Sequence, residues 1–292
     1  WRLRRAETEW GNAREQREFL CLPRRSPRHQ NPWWRRIRGG KAHCLIWKKG
    51  CAAADLIVHE ADPLSWMRTF HAIGLIVTLW ALLYLSFLGE RELRGEEARR
   101  IVPAQEMIQN DQWIVPTLDG EPYGNKPPLI NWIIAGSFLL TGSESEWAAR
   151  LPSVVSLLAL CLAAFFVLRN HFGTRRAMFV TFVFLTAASM IEKCRMAEIE
   201  AVFIALFGLA CLFWISLWTS NRSPWLIWTI PYVFLGLGNL AKGPVHLLFW
   251  ILFLLPILRS ARSTRDFFHP AHFLGLILLF AIPLPWVFAN LS

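Results

Sequence analysis

From Phe70 to the end of the chain, apolar runs about as long as a bilayer is thick alternate with short polar breaks. No other feature limits the possible folds so sharply. A helix rises 1.5 Å per residue, so a hydrocarbon core of about 30 Å takes roughly 20 mainly apolar residues to cross. Such runs lie near 70–88, 151–168, 177–193, 201–219, 225–241, 244–258 and 271–289, seven in all, two of them short. A further stretch, Leu129 to Leu140, follows Pro127-Pro128 and reaches only about 18 Å, so it reads as an interfacial or re-entrant helix that does not cross. The expected fold is all-α, a polytopic membrane helical bundle with interfacial helices in a long first outer loop.

Composition agrees. With 54% hydrophobic and 18% charged residues, the chain is too apolar for a soluble globule and far too apolar for a disordered one. A net charge of +10 raises the question of nucleic acid, but the charge is uneven. Residues 1–65 carry 14 Lys and Arg against 7 Asp and Glu, whereas 66–292 carry 17 against 14. The first segment is rich in Arg and Trp (Arg24-Arg25, Trp33-Trp34-Arg35-Arg36, Lys48-Lys49), has no helical or strand period, and starts at Trp1. It reads as a basic extension, disordered or artefactual, with anionic-lipid attraction and nucleic-acid binding as its functional alternatives. Residues 66–292 read as a truncated transmembrane domain of about seven spans, and no nucleic-acid partner is expected for them. The six cysteines form no C-x-x-C pair and no cluster with His, so neither a disulfide framework nor a zinc site follows.

Orientation follows from the short loops. If the first span runs outward, the inner connections hold Arg169, Arg175, Arg176, Arg222, Arg259, Arg262 and Arg265, with Arg68 before the first span and Asp266 as the single acid. Positive charge in short loops marks the inner side, so residues 89–150 form a long outer loop. The outer side then collects the acidic cluster at 90–97, Tyr123 to Pro128, Glu192 to Glu200, and Ala241-Lys242-Gly243-Pro244. Ionised groups at a membrane boundary are costly unless paired or functional, so their gathering on one side points to a site.

Within that set, Gly95-Glu96-Glu97-Ala98-Arg99-Arg100 places two adjacent carboxylates so that one can face a cleft while the other pairs with an arginine. A carboxylate in a partly dry site can serve as general base on an acceptor hydroxyl or amine. The order continues with Glu106-Met107, Trp113-Ile114-Val115-Pro116, Leu118 to Trp132 through Tyr123-Gly124-Asn125-Lys126-Pro127-Pro128, and Ala148-Ala149-Arg150-Leu151-Pro152-Ser153. It closely resembles the first outer loop of the polyprenyl-phosphate-sugar-dependent glycosyltransferases of the GT-C class, a group that includes protein O-mannosyltransferases and lipid A aminoarabinose transferases. Arg195 to Glu200, Ala241 to Pro244 and, more weakly, Pro285-Trp286 extend the likeness over about residues 67–292.

The resemblance implies a membrane enzyme that takes a sugar from a polyprenyl-phosphate donor, with inversion, for an acceptor on the periplasmic side of the inner membrane. That acceptor would be lipid A, protein or a glycan. The family's base falls on Glu96, with Glu97 beside it in a supporting role, and Glu stands here where the family usually has Asp. Glu200 matches the second acid, with Glu198 as the register alternative. Arg99, Lys126 and Lys242 match the family's cations and would hold the donor phosphate, with Tyr123 in support; fixed cations stabilise a leaving phosphate as its charge develops. No cofactor is expected, and divalent-metal dependence stays open: Asn125 occupies the place of a Glu implicated in metal binding in the aminoarabinose transferases. The rival class is a transporter or flippase, which would need inverted repeats that the chain lacks. A further alternative is an inactive truncated homologue.

Overall fold

The computed structural model describes residues 65–260 and 268–291; the basic segment 1–64, with Cys21, Cys44 and Cys51, lies outside the described residues. Helix α1 spans Ser65–Trp80 and passes into a π-helical turn over Ala81–Leu85. The long loop that follows contains α2 (Ala98–Asn110), a two-residue hairpin of β1 (Thr117–Leu118) on β2 (Glu121–Pro122), and α3 (Leu129–Thr141). Then come α4 (Glu146–Phe172), α5 (Thr174–Leu185), α6 (Ala188–Lys193), α7 (Ile199–Thr219), α8 (Pro224–Lys242), α9 (His246–Ser260), α10 (Pro270–Ala281) and α11 (Leu284–Leu291).

Among the described residues, five helical stretches are long and apolar enough to cross a membrane: Trp66–Leu85, Glu146–Phe172, Ile199–Thr219, Pro224–Lys242 and Pro270–Leu291. The expected spans at 177–193 and 244–258 are shorter. The first is a twelve-residue helix that stops at Leu185, an extended residue at Ala187, and the six residues of α6. The second is the fifteen-residue α9. Apolar content alone sets where a segment is at ease; it does not fix where the backbone stays helical.

Contacts show which ends share a face. Arg169, near the end of α4, donates to Thr69 at the start of α1, 2.9 Å away. At the opposite face, Arg150 at the start of α4 donates to the carbonyls of Leu88 and Arg91 just after α1, and Arg195 donates to the Ser86 carbonyl. Since 169 and 195 lie on opposite faces, the broken pair α5 and α6 makes the return passage between them. Lys242 at the end of α8 meets Glu200 at the start of α7 on the same face as Arg195. This face is called the loop face below. Helix α3 stays there: Asn131 in its first turn donates to the Arg100 carbonyl and Ser137 to that of Ala148, so it does not cross.

Three apolar clusters hold the bundle: α1 with α4 and α5 around Ile76, Leu157 and Phe165; α2 and α3 with the starts of α4 and α7 around Ile130, Ile134 and Ala148; and α7 to α10 around Trp214, Trp228 and Leu254. Small residues permit the closest approaches, as between helices in lipid generally. A Cβ on Gly275 of α10 would collide with the Trp228 carbonyl and the Tyr232 ring of α8. His246 and His272 are buried, hydrogen-bonded to the Leu235 carbonyl and the Tyr232 hydroxyl.

Candidate functional site

The site residues arise at the loop-face ends of five helices, α2, α4, α6, α7 and α8, and in the loop of Tyr123 and Lys126. The turn before α2 is set by Gly95, whose φ of 59° falls in the left-handed region that glycine enters without steric cost. Glu97 then precedes the first residue of α2, and its side chain turns back into the protein, 1% exposed. Its two oxygens accept from Arg150 Nε at 2.8 Å and Nη2 at 3.0 Å, from the Ala197 amide at 2.8 Å and from the Arg94 amide at 2.9 Å. Burial alone pushes the Glu97 carboxyl up. The Arg150 hydrogen bonds and the two amides outweigh it, so the group lies below the ordinary carboxylate range. Four donors leave it committed to structure.

Glu96, one residue earlier, is half-exposed and sits among cations. Arg99 Nη1 lies 3.0 Å from Oε1 and Arg100 Nη2 3.6 Å from Oε2. The arginines differ: Arg99 is 60% exposed and Arg100 only 4%. Arg100 also donates to the Tyr123 hydroxyl at 3.4 Å, which brings the loop of Tyr123 and Lys126 against the carboxylate turn. The sequence does not single out Arg100, because it is indistinguishable there from Arg99. The helical offset is the available signal, since Glu96 and Arg100 stand one turn apart.

On the other side of the turn, a Cβ on Gly95 would lie 3.2 Å from Glu198 Oε1, so residue 198 abuts the Glu96 loop. Glu198 is 8% exposed and faces Lys193 Nζ at 3.4 Å. Burial raises its carboxyl above the usual range, Lys193 opposes the rise, and the neighbouring Glu200 adds to it. Glu200 opens α7 and pairs with Lys242 at 3.0 Å, both about one-third exposed, while the Lys242 ammonium stands 5.5 Å over the Phe203 ring. Lys242 ends α8 because Gly243, at φ 85°, turns the chain and returns its amide to the Asn239 carbonyl. Thus Glu96, Arg99, Arg100 and Tyr123 form one group, and Glu198, Glu200, Lys193 and Lys242 another, joined at Gly95. Lys126 lies three residues from Tyr123, half-buried, and among the described residues no ion pair engages it.

Asn125 brings no carboxylate, and among the described residues no three His, Cys, Asp or Glu side chains gather around one point. The arrangement offers a half-exposed carboxylate, Glu96, flanked by two arginines, with Glu198, Glu200 and two lysines alongside.

Comparison with known proteins gives a consistent picture. Residues 125–288 match the dolichyl-phosphate-mannose-protein mannosyltransferase family. An undecaprenyl phosphate-alpha-4-amino-4-deoxy-L-arabinose arabinosyl transferase of Shewanella sediminis is 30% identical over 230 residues, covering 74% of this chain and 40% of that protein. A second so named, from Proteus mirabilis, is 26% identical over 220 residues, 74% of this chain and 39% of its own length. The crystal structure of ArnT from Cupriavidus metallidurans bound to undecaprenyl phosphate superposes with a TM-score of 0.64 at 20% identity, over 78% of this chain and 41% of that one. Its apo form gives 0.66 at 22% identity, over 76% and 42%. The chain spans about two-fifths of the length of the curated relatives it matches. The bundle therefore has the fold of a GT-C integral membrane protein.

Proposed function

The chain belongs to the dolichyl-phosphate-mannose-protein mannosyltransferase family, and on that footing we propose that it serves sugar transfer from a polyprenyl-phosphate donor at the loop face. The observation that carries this reading is the division of labour between Glu96 and Glu97. Of two adjacent, chemically identical carboxylates, one is closed off by four donors and the other is held open beside one exposed and one buried arginine.

In this reading Glu96 takes the proton of an acceptor hydroxyl or amine. The freed lone pair attacks the anomeric carbon from the side opposite the phosphate, and the bond from that carbon to the phosphate oxygen breaks with inversion. The polyprenyl phosphate leaves with the bonding electrons. Arg99 has the exposure to swing from Glu96 to that phosphate, and Lys126 and Lys242 add charge where it develops. Glu200 holds Lys242 in place until substrate arrives, with Tyr123 and Glu198 bordering the cleft. The donor lipid is undecaprenyl phosphate or a close analogue, as in the solved relative; the acceptor is lipid A, protein or a glycan. The face opposite the site carries Arg169, Arg175, Arg176, Arg222 and Arg259, which favours that face as cytoplasmic and the site as periplasmic in the inner membrane.

The test is transfer of label in membranes holding the intact protein, from undecaprenyl-phosphate aminoarabinose, mannose and glucose in turn. Turnover of at least one donor, lost in Glu96→Gln, is expected. Absence of transfer from every such donor, or full activity of Glu96→Gln, overturns the reading.

A further inference from the structure

Resting on that reading, we propose that Arg100 is the positioning residue of the site, a buried cross-link that holds Glu96 and the Tyr123 loop in one geometry. Arg100 has three properties that Arg99 lacks. Its side chain is 4% exposed against 60% for Arg99. It joins two segments far apart in sequence, approaching Glu96 at 3.6 Å and donating to Tyr123 at 3.4 Å. Its backbone is pinned from two directions, the amide to the Glu97 carbonyl at 2.9 Å and the carbonyl by Asn131 at 3.0 Å.

A guanidinium withdrawn from water is costly unless its donors are used, and a rigid planar fork retained there sets direction as well as charge. Arg100 uses them sparingly: both contacts are long, and Nε, buried, has no partner. It therefore carries more donor capacity than its present neighbours consume, at the seam between the proposed base and the loop that bears Lys126. The exposed arginine, Arg99, is suited to meeting substrate. The buried one, Arg100, is suited to fixing where Glu96 points, and small displacements of a reacting group cost one to two orders of magnitude in rate.

The test uses Arg100→Met, with Arg100→Lys and Tyr123→Phe as milder variants should the first fail to fold. For whichever undecaprenyl-phosphate sugar the parent protein turns over, Arg100→Met is expected to lower kcat about 10- to 100-fold with donor KM within about threefold, and Arg100→Lys to recover part of the loss. Hydrogen exchange of the intact protein is expected to rise in residues 94–97 and 117–125 together. An unchanged kcat, or a loss confined to KM, overturns the proposal, because the residue would then be idle or a donor ligand. If the parent protein transfers from no donor, the functional reading fails by itself, and the exchange measurement decides the cross-link: no change in either segment overturns it.

Discussion

Arg150 grips both oxygens of Glu97, Nε on Oε1 at 2.8 Å and Nη2 on Oε2 at 3.0 Å, with the two side chains 2% and 1% exposed. The remaining Arg150 donors close on the carbonyls of Leu88, Arg91 and Glu92. One ion pair thus ties the exit of α1 to the start of α4, and the Ala197 amide adds the start of α7. Removing one partner leaves a buried charge uncompensated, which costs about 3–5 kcal/mol. Arg150→Met is therefore expected to lower the melting temperature of the detergent-solubilised protein sharply. The double variant with Glu97→Leu is expected to lose less than the sum of the single losses, since neither then leaves a stranded ion.

The same pair fixes a pH dependence. Glu97 ionises more readily folded than unfolded, so its contribution is complete above the ordinary Glu value of about 4.3 and is lost as pH falls through the lower folded value. Melting temperature is expected to fall more steeply below about pH 4 in the parent protein than in Glu97→Gln, which starts lower and has less to lose. Parallel curves for the two would contradict the assignment.

The helical membrane architecture is largely legible in the sequence because a bilayer demands a minimum apolar length. Leu129 to Leu140 is recognisable as non-crossing for the same reason. What the sequence cannot reveal depends on distant partners. Which of Glu96 and Glu97 is buried is decided by Arg150, 53 residues on, and by the Ala197 amide, 100 residues on. The break at Ala187 and the burial of Arg100 are likewise set by packing against other helices, which no local period records.

Lys242 and Glu200 provide a contrast with Arg150 and Glu97. Both are about one-third exposed, so water screens the pair and its stability contribution is about 1 kcal/mol or less. Lys242→Met is expected to shift melting by no more than roughly 4 °C while lowering transfer about 100-fold, the scale of removing one electrostatic stabiliser of a developing anion. Measuring both on one preparation separates the roles: loss of stability without loss of transfer would make the lysine structural.

Two glycines test the packing of the bundle. Gly74 in α1 has open space where an added methyl would stand, so Gly74→Ala is expected to stabilise by up to about 1 kcal/mol through helix propensity. Gly275→Ala enjoys the same propensity gain, but its methyl would meet the Trp228 backbone carbonyl, which cannot swing aside as a side chain can. Overpacking costs about 1–3 kcal/mol and wins. Thermal melting is expected to move in opposite directions for the two variants.

Glu198 reverses the logic of Glu97. Its carboxyl is raised by burial, and Lys193 recovers only part of the cost. A carboxyl easier to protonate folded than unfolded makes stability fall as pH rises from the unfolded value to the folded one, and the deficit persists above both. Glu198→Gln removes the ionisation, so it is expected to melt higher than the parent protein at pH 7–8, with the gain shrinking towards pH 4. Lys193 loses its partner at little cost, being nearly half exposed. Transfer is expected to survive Glu198→Gln better than Glu200→Gln, because only the latter frees Lys242 from its anchor. If Glu198→Gln proved the more damaging of the two, the working acid of this pair would be residue 198.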